Sequence, residues 1–326
     1  MSPPATPCLD FGRQRVKTAY QETKSEGQTI MRVFVTGATG FVGSAIVPEL
    51  LDAGHQVLGL ARSDDGARSL VAAGAEVHRG DLEDLESLRS GAAMSDGVIH
   101  AAFDHDFSRF AENAEADRRA IEVIGDVLAG SDRPLIVTSG LPLTPGHLTT
   151  EDDEPPSGSA GSPRVSEETA ISLIARGVRA SVVRMSQVHD GDRHGLATYL
   201  IALAREKGIS AYVGDGLNRW SAVHRLDVAP VYRLALEKGS AGATYHAVTE
   251  EGVSVRAIAE AIGRGLEVPV VALPPEEAGS HFGWLGFPVS MDAPASSALT
   301  RHRLGWYPTE KPGFITDLDR SSMFDV

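Results

Sequence analysis

The chain has 326 residues, of which 42% are hydrophobic and 23% are charged, and its formal net charge is −14. This acidic balance argues against a protein that binds nucleic acid through a basic surface. No segment approaches the roughly 20 uncharged apolar residues of a membrane-spanning helix. The single cysteine, Cys8, excludes an internal disulfide and a cysteine-based zinc site.

Residues 1–30 differ in composition from the rest of the chain. They are Pro-rich and then polar, and they lack the apolar stretch of a secretory signal. Met31 directly precedes the first apolar run. We therefore predict a flexible N-terminal extension outside the fold, and a cytoplasmic protein.

From residue 31 onward, short apolar runs rich in β-branched residues alternate with segments of helical length. Strands are predicted at 32–36, 56–61, 75–79, 97–102, 134–139 and 179–184, and helices at 43–53, 65–73, 82–90, 107–129 and 166–176. This alternation predicts an α/β fold, a Rossmann-type doubly wound parallel sheet with ligands at the carboxyl ends of its strands. We predict a core over 31–185 and a smaller C-terminal substrate lobe over 186–326, from which about 223–240 returns to the core.

A glycine-rich turn follows the first strand and opens the first helix. In such turns one glycine permits the tight bend, one lets the backbone approach a pyrophosphate, and one allows close helix–strand packing. The helix N-terminus adds unpaired N–H groups that favour phosphates. The pattern predicts a dinucleotide site that includes Gly37, Thr39, Gly40, Phe41, Val42 and Gly43.

The end of the second strand bears on the choice of cofactor. An acidic residue there would bind the ribose 2′-OH and favour NAD, whereas an arginine accommodates the 2′-phosphate of NADP. Arg62 and Ser63 occupy this position, so NADP(H) is predicted. The alternative is an exposed Arg62, with Asp64 or Asp65 binding the ribose.

The spacing of the three glycines resembles the extended branch of the short-chain dehydrogenase/reductases. This branch includes nucleotide-sugar epimerases, dehydratases and NADP-dependent aldehyde reductases. The segments 80–82, 100–102, 223–229 and 304–308 are similar to further landmarks of these proteins, in the same order along the chain. The resemblance implies additional cofactor contacts at Asp81, Leu82, Ala101 and Ala102.

The resemblance also implies a Tyr-x-x-x-Lys pair on the helix that begins near residue 163, in which the tyrosine passes a proton to the substrate carbonyl. This chain has no tyrosine between Tyr20 and Tyr199 and no lysine between Lys24 and Lys207. We therefore predict an atypical member that retains the fold and the cofactor site without the standard acid.

Four residues could take over the role of the absent Tyr-x-x-x-Lys pair. Ser139 ends the fifth strand, where the family places a hydroxyl that polarises the carbonyl; the alternative is that it caps a turn. Arg164 takes the place of the tyrosine and could stabilise an oxyanion, although it releases no proton at neutral pH; the alternative is an ion pair with the acidic segment 151–154. His105 is the preferred proton donor, against a solvent-facing loop residue, and His189 is a second candidate.

We predict an NADP(H)-dependent oxidoreductase that reduces the carbonyl of a small molecule, or oxidises the alcohol, with His105 or an ordered water supplying the proton. The alternatives are a non-reducing epimerase or dehydratase that retains its cofactor, and an NADP(H)-binding regulator without turnover. No metal site, nucleic-acid partner or membrane partner is expected, and a homodimer is left open.

The substrate itself is less defined by the sequence. Aromatic residues of the lobe indicate an apolar or aromatic ligand, while Arg219 and Arg225 keep a nucleotide sugar open as the alternative. The aromatic residues are Tyr199, Tyr212, Trp220, Phe282, Trp284 and Phe287.

Overall fold

Strands and helices alternate through the first half of the chain as predicted. The computed structural model describes residues 29–142, 146–154, 164–309 and 311–325, so the prediction for residues 1–30 lies almost wholly outside the described residues. The strands are β1 (Arg32–Thr36), β2 (Gln56–Ala61), β3 (Glu76–Arg79), β4 (Gly97–His100), β5 (Pro134–Gly140), β6 (Arg179–Met185), β7 (Gln187–His189), β8 (Ser210–Val213), β9 (Arg219–His224), β10 (Thr244–Ala247), β11 (Glu250–Ser254) and β12 (Val270–Leu273).

The α-helices are α1 (Gly43–Asp52), α2 (Asp64–Ala72), α3 (Leu85–Ala93), α4 (Phe110–Leu128), α5 (Ser166–Ser172), α6 (Ala197–Lys207), α7 (Arg225–Lys238), α8 (Val255–Leu266), α9 (Ala278–Phe282), α10 (Gly286–Ser290), α11 (Ala298–Leu304) and α12 (Phe314–Leu318). Short 3₁₀ segments lie at Phe107–Arg109, Leu173–Arg176, Pro275–Glu277, Gly283–Leu285 and Ser322–Phe324. In the part of the chain that the structure describes, every helix is too short or too polar to span a bilayer.

Seven parallel strands form the core sheet in the order β10-β6-β5-β4-β1-β2-β3. Successive side chains of a strand point to opposite faces. Accordingly, Val33 and Val35 pack into the layer that contains α1 and α7, whereas Phe34 packs into the layer of α3 and α4. The predicted doubly wound parallel sheet is confirmed, and its winding reverses between β1 and β4, where ligands of such sheets bind.

Several elements differ from their predicted bounds, and two of the differences have a local reason. The third helix begins at Leu85 instead of residue 82, because the Asp84 side chain accepts the Ser87 N–H and caps the helix there. The fourth strand ends at His100 instead of residue 102. Directly after His100 the chain passes the glycine-rich turn, and its backbone leaves the sheet.

The lobe is built on a sheet in the order β11-β9-β7 and a pair, β12-β8. Its interior is apolar, with α6, α8 and α12 packed around Trp220 of β9. Two segments return from the lobe to the core. Helix α7 packs against α1, and β10 then completes the edge of the core sheet beside β6.

Candidate functional site

A cavity of about 2640 Å³ opens along the carboxyl ends of β1, β2, β4 and β5 and reaches the lobe. Of the fifteen site residues predicted from the sequence, fourteen line it, and Ser63 does not. The fourteen are Gly37, Thr39, Gly40, Phe41, Val42, Gly43, Arg62, Asp81, Leu82, Ala101, Ala102, His105, Ser139 and Arg164.

The three glycines of the turn are constrained in different ways. Gly37 has a φ of +69°, and a Cβ on it would lie 2.7 Å from the backbone nitrogen of Ala102. A Cβ on Gly43 would lie 2.0 Å from the carbonyl oxygen of Gly37. At Gly40 a Cβ would meet only that same oxygen, at 3.1 Å. The fold thus requires the first and third glycines, while Gly40 keeps an open face on the cavity.

Helix α1 presents an N-terminus suited to an anion. No side chain caps it, and its first turn carries no acidic residue, so the positive end of its dipole is not neutralised by an acidic side chain of that turn. Two cations that the sequence analysis did not assign to the cofactor lie nearby. Arg225 Nη1 donates to Ser44 Oγ at 3.1 Å, and the Arg193 guanidinium lies 5.6 Å from the centroid of the Phe41 ring. These features fit a pyrophosphate group.

Directly after β2, the side chains that could bind the adenosine ribose or its 2′-phosphate differ in their ion-pair partners. Asp64 pairs with Arg79 at 2.6 Å, and Asp65 pairs with Arg68 on the same helix. Arg62 is exposed on the cavity and has no side-chain hydrogen bond or ion pair to any described residue. The two carboxylates are therefore engaged, and the Arg62 cation is available.

Two other residues predicted at this end have local structural roles. Ser63 Oγ accepts the Gly66 N–H at 3.1 Å and caps α2. Asp81 Oδ1 accepts the backbone N–H groups of Glu83 and Asp84, at 2.8 and 3.1 Å. The Ser63 hydroxyl keeps its proton free to donate, and Asp81 stays exposed beside the cavity.

The opposite end of the cavity rests on a buried polar network. His100 Nδ1 lies 2.9 Å from Thr36 Oγ1, and His100 Nε2 lies 3.0 Å from Asp117 Oδ1. A carboxylate only accepts hydrogen bonds, so His100 Nε2 carries a proton and donates to Asp117. Burial raises the pKa of Asp117, but the hydrogen bonds from His100 and Ser166 and the charge of Arg164 outweigh it, and the net pKa lies below its usual value. Asp117 is therefore a buried anion.

Arg164 is held in place by this anion. Its Nε donates to Ser166 Oγ at 2.8 Å, and the Ser166 hydroxyl donates in turn to Asp117. Its Nη2 donates to the carbonyl oxygen of Thr138 at 3.0 Å. The carboxylate that pairs with Arg164 is Asp117, at 3.9 Å, and not one of the predicted acidic segment 151–154. Burial lowers the pKa of Arg164, yet the group remains a cation at neutral pH.

Ser139 and its neighbour Thr138 have different environments at the end of β5. Thr138 Oγ1 donates to the carbonyl oxygen of His100 at 2.9 Å and lies 2.6 Å from the hydroxyl oxygen of Tyr232. The Ser139 hydroxyl lines the cavity and makes no hydrogen bond to a described residue, so the structure gives no support for a turn cap. Ser139 is therefore free to bind a ligand.

Tyr232 is a neighbour that the sequence reasoning missed. It lies on α7, its side chain is fully buried, and burial raises its pKa well above the usual value. Residues 223–240 were predicted to return to the core, so the presence of a tyrosine in this segment could have indicated a residue near the site. A buried hydroxyl with a raised pKa supports Thr138 and is unsuited to donating a proton.

Comparison with known proteins assigns the family. The NAD dependent epimerase/dehydratase family matches residues 33–131. The chain is 49% identical over 298 residues to "Uncharacterized protein C2A9.02" of Schizosaccharomyces pombe, covering 90% of this chain and 100% of the relative. The chain belongs to the NAD-dependent epimerase/dehydratase family. This is the extended short-chain dehydrogenase/reductase group that the sequence resembles.

Two more distant members of this family bear on chemistry and fold. A "4-hydroxy-2-methyl-3-oxo-4-farnesyl-3,4-dihydroquinoline-1-oxide ketoreductase" of Stigmatella aurantiaca is 28% identical, over 81% of this chain and 84% of the relative. The structure of UDP-glucose 4-epimerase of Thermus thermophilus in complex with NAD superposes with a TM-score of 0.67 at 22% identity, covering 90% of this chain and 99% of that one. The family thus includes both reductases and epimerases that use this fold.

The two histidines considered as proton donors differ in position. His105 lies at the cavity with Nδ1 3.1 Å from the carbonyl oxygen of Phe103, so Nδ1 carries the proton of the neutral ring. Packing against neighbouring rings and the charge of Arg164 lower its pKa, which leaves the ring neutral at neutral pH. His189 is buried in the lobe with Nδ1 2.8 Å from Asp317, and the structure does not bring it to the cavity.

Proposed function

We propose that this family member is an NADP(H)-dependent oxidoreductase that reduces the carbonyl group of a small molecule. The observation that carries the proposal is the hydroxyl of Ser139, which has no hydrogen-bond partner among the described residues and lies next to the site where Arg164 is fixed, in the same cavity as the glycine-rich turn. A hydroxyl donor beside a buried cation is the arrangement that stabilises a developing alkoxide.

The phosphate groups of the cofactor are matched by the other end of the cavity. The open face of Gly40 and the uncapped α1 helix would hold the pyrophosphate, and Arg62 would bind the 2′-phosphate. Arg62 lines the cavity whereas Asp64 and Asp65 do not, and this placement favours NADP(H) over NAD(H).

The reduced dinucleotide, when bound, supplies the hydride that forms the new C–H bond. The Ser139 hydroxyl donates a hydrogen bond to the substrate carbonyl oxygen. The Arg164 guanidinium stabilises the negative charge that this oxygen gains. Asp117, Ser166 and the Thr138 carbonyl fix the orientation of that guanidinium, so little reorganisation accompanies the reaction.

The proton that completes the alcohol comes from water in this mechanism. Arg164 keeps its protons at neutral pH, Tyr232 is buried with a raised pKa, and His105 is neutral with its ring proton directed to a backbone carbonyl. Positioned charge thus replaces the acid that the Tyr-x-x-x-Lys pair provides elsewhere in the family. The ketoreductase of Stigmatella aurantiaca supports a reductive reaction.

The test is NADPH consumption with a panel of aldehydes and ketones, followed by absorbance. Ser139→Ala should lower kcat/KM roughly 10- to 100-fold, because one oxyanion donor is lost. Arg164→Lys should also lower kcat, since an ammonium group cannot make both directed contacts of the guanidinium. Ser280→Ala is the matched control, because this exposed serine of α9 donates to the carbonyl oxygen of Glu277 and does not line the cavity. Full activity in both site variants, or bound cofactor that is never consumed, would refute the proposal.

A further inference from the structure

Aromatic side chains from the core and from the lobe meet at the cavity. Phe103, Phe107 and Phe110 follow β4, while Tyr199 of α6 and Trp284 come from the lobe, and all five line the cavity. We refer to these five residues as the aromatic wall. The Phe107 and Trp284 rings are stacked, with centroids 4.2 Å apart and an interplanar angle of 19°. Tyr199 packs edge-on against both, at 5.9 and 5.3 Å.

The lobe residues of the aromatic wall stay exposed, although other aromatic residues of the lobe are buried. Trp284 is 47% exposed and Tyr199 is 39% exposed, whereas Trp220 is 3% and Phe282 is 4% exposed. Single exposed apolar residues are common, but several aromatic rings gathered in one cleft are typical of a ligand site. The structure thus divides the aromatic residues noted in the sequence into a lobe interior and a cavity surface.

The rings of the aromatic wall form a continuous series of contacts that ends at Arg164. Phe107 contacts Phe110 at 5.8 Å, and Phe110 contacts Phe103 at 5.8 Å. The Phe103 ring then lies 4.0 Å from the Arg164 guanidinium carbon. A ligand whose carbonyl oxygen is bound at Arg164 would therefore place the group attached to that carbonyl along the wall.

Charges around the cavity disfavour an anionic substrate. Among the described residues that line the whole cavity, nine are acidic and six are arginines. Two of these arginines are paired with carboxylates: Arg109 with Glu112, and Arg303 with Asp152. This excess of carboxylates raises the electrostatic free energy of an anionic substrate such as a nucleotide sugar.

We propose that the substrate is an uncharged aryl ketone or aryl aldehyde, whose ring packs on the aromatic wall while its carbonyl oxygen is held by Ser139 and Arg164. This inference rests on the proposed reductase function. Stacked and edge-on aromatic contacts contribute about 0.5–1.5 kcal/mol each beyond the area they bury, so the wall selects aromatic over saturated rings of the same size.

The experiment compares acetophenone with cyclohexyl methyl ketone, which differ only in the saturation of the ring. Full-length protein with NADPH should show a higher kcat/KM for acetophenone, roughly 3- to 10-fold, equivalent to about one such contact. Trp284→Leu should raise the KM for acetophenone and remove the preference. Tyr307→Leu is the control, because Tyr307 is 71% exposed and does not line the cavity.

Equilibrium dialysis of both ketones with NADP⁺-loaded protein separates this inference from the proposed function. Preferential binding of acetophenone that Trp284→Leu abolishes, without NADPH consumption, would support the substrate class and reject the reductase. Equal binding and turnover of the two ketones, unchanged in Trp284→Leu, would overturn the substrate class and leave the reductase standing. If neither ketone binds, the inference is also overturned.

Discussion

The two ends of the cavity are built from different kinds of sequence. The cofactor end comes from one short run, 36–43, together with Arg62 directly after the next strand. The opposite end, where Ser139 and Arg164 would hold the substrate carbonyl, is called here the carbonyl end. It is built from side chains of β4, α4, β5, α5 and α7, which are far apart in the chain. The first end depends mainly on backbone shape, and the second depends on charges that neutralise one another out of contact with water.

This difference predicts two kinds of response to mutation. At the cofactor end, most side-chain changes should alter binding while the fold remains intact. At the carbonyl end, removal of one partner leaves a buried charge unmatched, so stability and activity should fall together. Three substitutions test the comparison, from the largest expected effect to the smallest.

Asp117→Ala should have the largest effect. It leaves His100, Ser166 and Arg164 without their common acceptor, and breaking a buried charged pair typically costs about 3–5 kcal/mol. The free energy of unfolding in urea measures this loss. Asp126→Ala, on the same helix, is the control, because its ion pair with Arg176 is exposed and should cost less than about 1 kcal/mol. Equal losses in the two variants would contradict the difference drawn between the two ends.

Arg62→Ala should act on binding alone. Loss of a charged hydrogen bond costs about 1.5–3 kcal/mol, so the Kd for NADPH should rise roughly 10- to 100-fold while that for NADH changes little. Calorimetric titration of both cofactors gives the two constants. Arg89→Ala is the control, because that exposed arginine pairs with Glu86 on its own helix and does not line the cavity. If Arg62→Ala lowers the affinity for NADH as much as that for NADPH, Arg62 does not bind the 2′-phosphate.

Tyr232→Phe should have the smallest effect. Thr138 keeps its hydrogen bond to the His100 carbonyl, so the loss of stability should be about 1 kcal/mol. Because burial raises the pKa of Tyr232, we expect kcat and its pH profile to stay within about twofold of the unmodified protein. A fall in kcat of tenfold or more would instead place the Tyr232 hydroxyl in the proton transfer.

Most of the core fold was predictable because each signal is local. All six predicted strands of the core are present, and the boundaries that moved did so at single side chains such as Asp84, which caps α3. The glycine-rich turn was predictable for the same reason, because the residues that define it are consecutive in the sequence.

The carbonyl end was only partly predictable, because its residues meet through tertiary packing. Asp117 lies on an amphipathic helix, where a polar residue normally faces water, and only its pairing with His100 explains its burial. Tyr232 reaches the site from α7, which follows the first part of the lobe. The alternative considered for Arg164 was an ion pair with segment 151–154, whereas the structure pairs it with Asp117, because no spacing in the sequence reveals which carboxylate lies beside it.

The path of the chain between core and lobe has a consequence for folding. Strand β10, which closes the edge of the core sheet against β6, follows the first part of the lobe, and residues 31–326 form one compact unit. During synthesis the ribosome must therefore release the chain as far as Ala247 before the core sheet can be completed. Such non-local strand pairing slows folding. The core sheet is therefore completed only after the first part of the lobe has been synthesised.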